Sequence, residues 1–347
     1  MKPEWLQLKG IASKRIIVLY TSVEHALTDV PDELRESVDL AENARSITNA
    51  LRDVGHRVGC VEFGNDVCRL SSRLLASKAE IVFNLAECPL HCYDKEPHAA
   101  ALLELLKVPY TGNSPFSLVV CKDKALTKQI LLAHGLPSPR FRVYSSSKSI
   151  KLDLCFPLVV KPLREDGSIG IAEESVVENQ GQLRDRIAQV LDQQGQRALV
   201  EEFVGGREFN VVVMGNGTRQ DPYRALPPGE YVYHAQRWRV CTFEAKWNQK
   251  HPSYAAVEAC YPAKIPASLR RRLQKMSVAC CQIFELSGYA RIDFRLDATG
   301  EPYVLEVNPN PDLSPDAGSS CTAQISGLSY PEFLQEIVRL GLAKGAR

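Results

Sequence analysis

Near the C-terminus of the 347-residue chain, Arg291-Ile-Asp-Phe-Arg295 is followed by a short turn and then by Tyr303-Val-Leu-Glu-Val-Asn-Pro309. The apolar residues Ile292, Phe294 and Leu296, and then Val304, Leu305 and Val307, mark two strands, and Ala298-Thr-Gly300 between them is a hairpin signal. Asp293, Glu306 and Asn308 are thereby placed on adjoining strands. Hard cations such as Mg2+ or Mn2+ take oxygen ligands from one or two carboxylates together with nucleotide phosphates, so these three residues read as a cage for a phosphate-bound metal. The same residues would also suit a polar strand end with three solvated acceptors. A second candidate is Arg164-Glu-Asp-Gly-Ser-Ile-Gly170, where Gly167 and Gly170 leave backbone amides open to a phosphate. A plain hairpin loop is the alternative there.

The elements that must position these groups fall into three units. In the first, Arg15–Tyr20 is a short apolar strand, a helix covers Val38 to Val54, and His56–Val61 returns as a strand. Another helical stretch leads to the strand Ile81–Leu85, and Pro97 to Leu106 is a helix. This alternation predicts a parallel sheet covered by helices. The first strand-to-helix turn, Tyr20-Thr-Ser-Val-Glu24, has no glycine, which excludes a dinucleotide-binding fingerprint. The second unit starts near Ser117, with a helix from Lys122 to His134 that ends at Gly135, ahead of Pro137. Strands Phe141–Tyr144 and Leu158–Lys161, a helix Gln182–Leu191 and a strand Ala198–Val204 follow. In the third unit, Gly205-Gly206 turns the chain into the strand Arg207–Met214, a long helix Pro266–Leu286 precedes the hairpin, and Tyr330–Leu342 closes the chain. Trp247 to Tyr261 shows no clear periodicity and is predicted to be a mobile loop over a site. The boundaries drawn are 1–116, 117–200 and 201–347.

Composition narrows the function classes. The 42 basic and 41 acidic residues nearly cancel, and no basic stripe points to nucleic acid. No apolar run approaches the roughly 20 residues that span a bilayer, and the N-terminus lacks an apolar signal core, so a cytoplasmic protein is expected. Eleven scattered cysteines fit reduced thiols. Cys88, His91 and Cys92 form the densest group but lack the further ligand a structural zinc site needs.

The ordered segments Phe83-Asn84, Val108-Pro-Tyr-Thr-Gly112, Lys122-Asp-Lys124, Val160-Lys-Pro162, Glu201-Glu-Phe-Val-Gly-Gly-Arg-Glu208, Glu244-Ala-Lys246, Arg291-Ile-Asp293 and Glu306-Val-Asn308 resemble the ATP-grasp superfamily, and within it the D-alanine–D-alanine ligase family. The resemblance runs from about residue 81 to 318. It implies an α/β fold of three domains, with a Rossmann-like N-terminal domain and ATP bound between the central and C-terminal domains. It further implies that Lys124 and Lys161 reach the α and β phosphates, and that Glu201, Glu202, Phe203 and Val204 form the adenine hinge while Glu208 accepts from the ribose. Ser168, with the amides of Gly167 to Gly170, would close over the β and γ phosphates. Lys246 would meet the γ phosphate, Arg291 the transferring phosphate or oxyanion, and Asp293, Glu306 and Asn308 the Mg2+ or Mn2+. The implied reaction activates a carboxylate as an acylphosphate, which an amine then attacks. The implied partners are a small-molecule carboxylate and an amine, amino acids or a peptide, with neither nucleic acid nor membrane involved and a homodimer as the assembly to test.

The resemblance weakens at the amino-acid end. The family's glycine-rich N-terminal signature is missing from Tyr20-Thr-Ser-Val-Glu-His-Ala-Leu27, where Glu24 is the substitute on offer. After the metal residues the chain reads Pro309-Asn-Pro-Asp-Leu-Ser-Pro-Asp-Ala-Gly318, which sets Asp312 in place of the family's glycine and Ala317 in place of its carboxylate-gripping serine. A ligase with a different substrate pair is therefore expected, with D-alanine–D-alanine ligase itself and an ATP-dependent phosphotransferase as the alternatives.

Overall fold

The apolar run Ile16 to Leu19 forms the middle of β1 (Arg15–Tyr20), the central strand of a three-stranded parallel sheet. The computed structural model describes residues 11–21, 40–87, 95–234, 237–248 and 250–345. After β1 come α1 (Leu40–Asp53), β2 (Arg57–Glu62), α2 (Val67–Ser77), β3 (Ile81–Leu85) and α3 (Glu96–Leu105), and the sheet order is β2-β1-β3. Every residue of β3 is buried, as expected of a parallel strand covered on both faces. On α1, Ala44, Ile47, Thr48 and Leu51 recur at helical spacing and form its buried stripe.

The second unit opens with two helices where one was expected. α4 (Pro115–Lys122) and α5 (Lys124–Ala133) meet at Asp123, whose extended backbone ends the first and whose carboxylate caps the second by accepting from Leu126 N at 3.1 Å. Gly135 takes the left-handed conformation foreseen after α5. Then follow β4 (Phe141–Tyr144), β5 (Leu158–Pro162), β6 (Val176–Val177), α6 (Gln180–Gln194) and β7 (Ala198–Glu202), in an antiparallel sheet ordered β4-β7-β5-β6. The boundaries drawn from sequence at 116/117 and 200/201 thus fall inside α4 and inside β7.

The third unit comprises β8 (Glu208–Gly215), β9 (Arg224–Ala225), β10 (Gly229–Tyr233), α7 (Phe243–Trp247), α8 (Pro252–Ala255), β11 (Val257–Cys260), α9 (Ala267–Ile283), β12 (Gly288–Leu296), β13 (Pro302–Asn308), α10 (Gly318–Ile325) and α11 (Tyr330–Gly345). Its antiparallel sheet runs β11-β10-β8-β12-β13, with β9 on β8. The expected loop from Trp247 to Tyr261 is instead the end of α7, then α8 and β11. Elements of four or five residues are too short to display a period, and tertiary partners fix them: Thr242 caps α7, and β11 pairs with β10. Phe333, Leu334 and Ile337 of α11 share a core with Ile16, Leu51 and Phe83, so the closing helix ties the last unit to the first.

Candidate active site

An irregularity in the hairpin aligns the acidic residues. Phe294 pairs with Val304, yet Asp293 pairs with Glu306, so Leu305 is the extra residue of a β-bulge on β13. Regular pairing would have set Leu305 opposite Asp293 and turned Glu306 toward the core, because side chains alternate faces along a strand. With the bulge, Arg291 faces Asn308 and Asp293 faces Glu306, while Ile292, Phe294, Val304 and Val307 stay in the core. The carbonyls displaced there are bonded: Leu305 O accepts from the Lys128 ammonium at 3.2 Å and Val304 O from the Ser138 hydroxyl at 2.9 Å.

Fourteen of the residues singled out in the sequence line one cleft of about 1120 Å3, part of it open to solvent, between the four-stranded and six-stranded sheets, whereas Gly170, Asp312 and Ala317 are not on its wall. Lys124 and Lys161 come from the central unit, Glu201 to Val204 from its last strand and the turn beyond, and Gly167 and Ser168 from the loop after β5. Glu208, Lys246, Arg291, Asp293, Glu306 and Asn308 come from the third unit. Gly167 and Ser168 both have positive φ, +64° and +65°. Gly170 is also left-handed, and a Cβ there would sit 2.7 Å from the Pro162 ring, so this loop requires a glycine.

Most of the cleft's basic groups are held by carboxylates. Lys124 Nζ lies 3.0 Å from Glu306 Oε1 and 3.3 Å from Asp166 Oδ1, and it also donates to Glu165 O. Burial opposes the Lys124 charge, but Glu306 and Asp166 outweigh it and raise its pKa. Arg291 gives Nε and Nη2 to the two oxygens of Asp293, both at 2.8 Å. Lys161 pairs with Glu201, whose other oxygen is 2.9 Å from Lys128 Nζ. Burial pushes the Glu201 carboxyl up, but the two lysines dominate and lower its pKa to about 2. Lys246 has no carboxylate partner among the described residues; its ammonium stands 5.0 Å from the Trp247 ring centroid.

At the hinge end, Glu208 Oε2 accepts from Arg295 Nη2 and Nε at 2.7 and 2.9 Å and from the Tyr233 hydroxyl at 2.7 Å. The Glu201 side chain, 2 % exposed, is turned inward to its lysines, which leaves only its backbone for the hinge role that the resemblance implies. Val159, Val176 and Val240, with Ile171, Phe203 and Trp238 against them, form an apolar wall beside it.

Sequence reasoning missed Tyr231, Cys241 and Arg295, all of which line the cleft. Arg295 carried a usable signal, being two residues beyond Asp293 and on the same strand face; Tyr231 and Cys241 lie on segments with no recognisable pattern. Burial and then Glu208 push the Cys241 thiol up to about 11, which keeps it protonated. Also unforeseen was Asp166, which holds Lys122 at 3.1 Å as well as Lys124. Asp312 accepts from Asn43 Nδ2 at 3.3 Å and from Ser314 N at 2.8 Å, while Ala317 stands at the start of α10 with no side-chain cap. Glu24, Cys88, His91 and Cys92 lie outside the described residues.

A model of the family described as "D-ala D-ala ligase C-terminus" matches residues 135–339. The chain is 34% identical over 303 residues to an uncharacterised protein, y4sG, of Sinorhizobium fredii, covering 85% of this chain and 86% of the relative. It is 31% identical over 297 residues to a D-alanine–D-alanine ligase of Gluconobacter oxydans, covering 85% of this chain and 91% of that one. Among solved structures, a D-alanine–D-alanine ligase of Bacillus anthracis complexed with ATP superposes with a TM-score of 0.75 at 22% identity, over 96% of this chain and 99% of that one.

Proposed function

The chain belongs to the D-alanine–D-alanine ligase family of ATP-grasp proteins and is by that membership an ATP-dependent, ADP-forming ligase; from this premise we propose that it joins a small-molecule carboxylate to an amine, through an acylphosphate, with a substrate pair other than two D-alanines. The observation that carries this reading is the convergence of fourteen residues from separate segments on one cleft, with phosphate-binding cations and oxygen donors on facing walls.

A carboxylate oxygen of the first substrate attacks the γ phosphorus and ADP leaves. The amine nitrogen of the second then adds to the acylphosphate carbonyl, phosphate departs, and the amine gives up its proton. Amide formation from a free carboxylate is uphill in water, so the activated intermediate must meet the amine before water does. Lys124 and Lys161 bind the inner phosphates as point charges, and the loop from Gly167 to Gly170 covers the outer ones with its amides and the Ser168 hydroxyl. Lys246, unpaired with any carboxylate among the described residues, is free to meet the γ phosphate. Asp293 occupies one edge of the Arg291 fork and leaves the Nη1 donors for the oxyanion of the tetrahedral species. Two carboxylates and an amide on one strand face are the oxygen donors that hard divalent cations prefer, so Asp293, Glu306 and Asn308 fit Mg2+ or Mn2+. Bound there, the ion would neutralise charge on the phosphates.

The altered substrate pair rests on Asp312 and Ala317. The first adds a negative charge and the second removes a hydroxyl where relatives of this type grip a carboxylate. A hydrogen bond to a charged group contributes about 1.5 to 3 kcal/mol, which decides between substrates. The second reading, D-alanyl-D-alanine synthesis, is favoured by the names of the relatives. Phosphate release from ATP, with product mass analysis, separates them. D-alanine alone should give little dipeptide at low millimolar concentration, while an amine acceptor restores turnover. Efficient dipeptide formation would promote the second reading, and ADP formed without free phosphate would point to a phosphotransferase. The expected substrates are amino acids or a peptide. No described helix is long and apolar enough to cross a membrane.

A further inference from the structure

Three arginine–carboxylate pairs lie on or beside the six-stranded sheet, and one of them is built differently. Arg207 gives Nε to one oxygen of Glu230 at 2.6 Å and Nη2 to the other at 2.7 Å. Arg291 grips the two oxygens of Asp293 in the same way. Arg295 instead brings Nε and Nη2 to a single oxygen of Glu208, Oε2, and the Tyr233 hydroxyl donates to that same atom. No donor among the described residues reaches Glu208 Oε1. A pair that served only to bury Arg295 would gain more from the fork, which makes two parallel charge-assisted bonds to separate oxygens.

The strand register explains the clamp. Arg295 on β12 stands directly opposite Glu208 on β8, and Tyr233 is on β10, the neighbour of β8 on the other side. Donors therefore reach Glu208 from both flanking strands, which fixes the carboxylate and leaves the lone pairs of Oε1 unused. The rest of the guanidinium is tied as closely. Its Nη1 donates to Val204 O at 3.0 Å, and Nη2 donates also to Arg239 O. It stands 5.1 Å from the Phe203 ring centroid and 5.6 Å from that of Tyr233. Arg295 thus joins, at one point, the end of the proposed adenine hinge, the proposed ribose acceptor, and the segment that carries Trp238 and Val240 to the apolar wall. Both Glu208 and Arg295 line the main cleft.

We infer that Arg295, with Tyr233, is a positioning residue for nucleotide choice: by occupying Oε2 it holds Oε1 of Glu208 for the ribose hydroxyls, and so makes the ligase select ribonucleotides. The inference rests on the reading of Glu208 as the ribose acceptor and adds the two residues that aim its carboxylate. Each hydroxyl donates its O–H to the ionised oxygen, and Arg295 acts through Glu208, not on the phosphates.

Calorimetric titration of the full chain with ATP and with 2',3'-dideoxy-ATP, which lacks both hydroxyls, gives the affinity ratio that tests this. The parent should bind ATP at least about tenfold more tightly, as expected for a hydrogen bond to a charged group. Arg295→Lys keeps the charge, but a point donor cannot span Glu208, Val204 O and Arg239 O together. Its ratio should fall to about threefold or less, with most of the loss in ATP affinity. A merely structural role would weaken both nucleotides alike and leave the ratio unchanged. Tyr233→Phe keeps the ion pair and removes one donor from Oε2, so it gives an answer even where circular dichroism shows that Arg295→Lys does not fold; its ratio should fall about twofold to threefold. A folded variant of either kind that keeps the parent's ratio overturns the inference. A parent that binds both nucleotides equally refutes the ribose reading of Glu208 itself, and the inference with it. All of these readouts are binding, so they stand apart from whether the chain ligates.

Discussion

The indole of Trp247 donates its Nε1–H to the carbonyl of Gly167 at 2.8 Å, which fastens the last residue of α7 to the loop proposed to cover the phosphates. The other end of the same helix is tied as well, since Phe243 N donates to Ile171 O at 3.1 Å. Lys246 rides on this helix, so the loop and the lysine proposed to meet the γ phosphate form one unit. Trp247→Phe keeps an aromatic side chain, though a smaller one, and removes one hydrogen bond, worth about 1 kcal/mol. The expected outcome is a KM for ATP raised about fivefold, with a smaller change in kcat. Steady-state kinetics decide it, and an unchanged KM would show that the indole bond does not position the loop.

Glu306→Gln keeps the shape of the side chain but removes the charge that faces Asp293 and holds Lys124 at 3.0 Å. ADP release should fall by at least about a hundredfold while the far-ultraviolet circular dichroism stays that of the parent, as expected if the carboxylate is a metal ligand. Raising the Mg2+ or Mn2+ concentration should recover part of the loss. Near-normal turnover would remove Glu306 from the metal set.

Which residues gather in this cleft was largely legible in the sequence, because each residue proposed to face phosphate or metal sits in a short, recognisable segment. What was not legible is how the chain brings those segments into line. Val304 and Leu305 are adjacent apolar residues in a strand that otherwise alternates, and that break in the pattern was the signal of the bulge that sets Glu306 opposite Asp293. The expected helix from Lys122 to His134 is α5, and what the sequence reading missed is the preceding α4, which Ser114 caps and Asp123 ends. The elements between Trp247 and Tyr261 gave no period because none exceeds five residues. The parallel first sheet, by contrast, followed directly from alternating apolar strands and helices.

Glu208 was read as the acceptor for the ribose, and its partners determine how that reading can be tested. Arg295 is 4 % exposed, and its guanidinium relies on Glu208. Glu208→Ala would leave that charge buried and unpaired, at a cost of about 3 to 5 kcal/mol, so lost activity could reflect lost folding. Glu208→Gln retains an acceptor for Arg295. It should raise the KM for ATP and narrow the gap between ATP and 2'-deoxy-ATP. Measuring both nucleotides on both proteins isolates the hydroxyl contact, and an equal gap in the two would assign Glu208 to structure alone.

Glu201 joins the end of β7, the proposed hinge, to the bulge. It pairs with Lys161 on one side and with Lys128 on the other, and Lys128 in turn donates to Leu305 O, the carbonyl of the extra residue on β13. The folded Glu201 carboxyl titrates near 2, below its ordinary value of 4.5, so its stabilisation is complete above about pH 4.5 and is lost as the pH falls toward 2. A shift of that size corresponds to about 3 kcal/mol for a group only 2 % exposed. Glu201→Gln should therefore lower stability at neutral pH by about 3 to 5 kcal/mol, because two enclosed lysines lose their shared counter-charge. The difference from the parent should shrink below pH 4.5. Urea unfolding at several pH values measures both effects. A pH-independent difference would mean that the carboxylate is not the charge holding these lysines, and with it the link from the hinge to the bulge would fail.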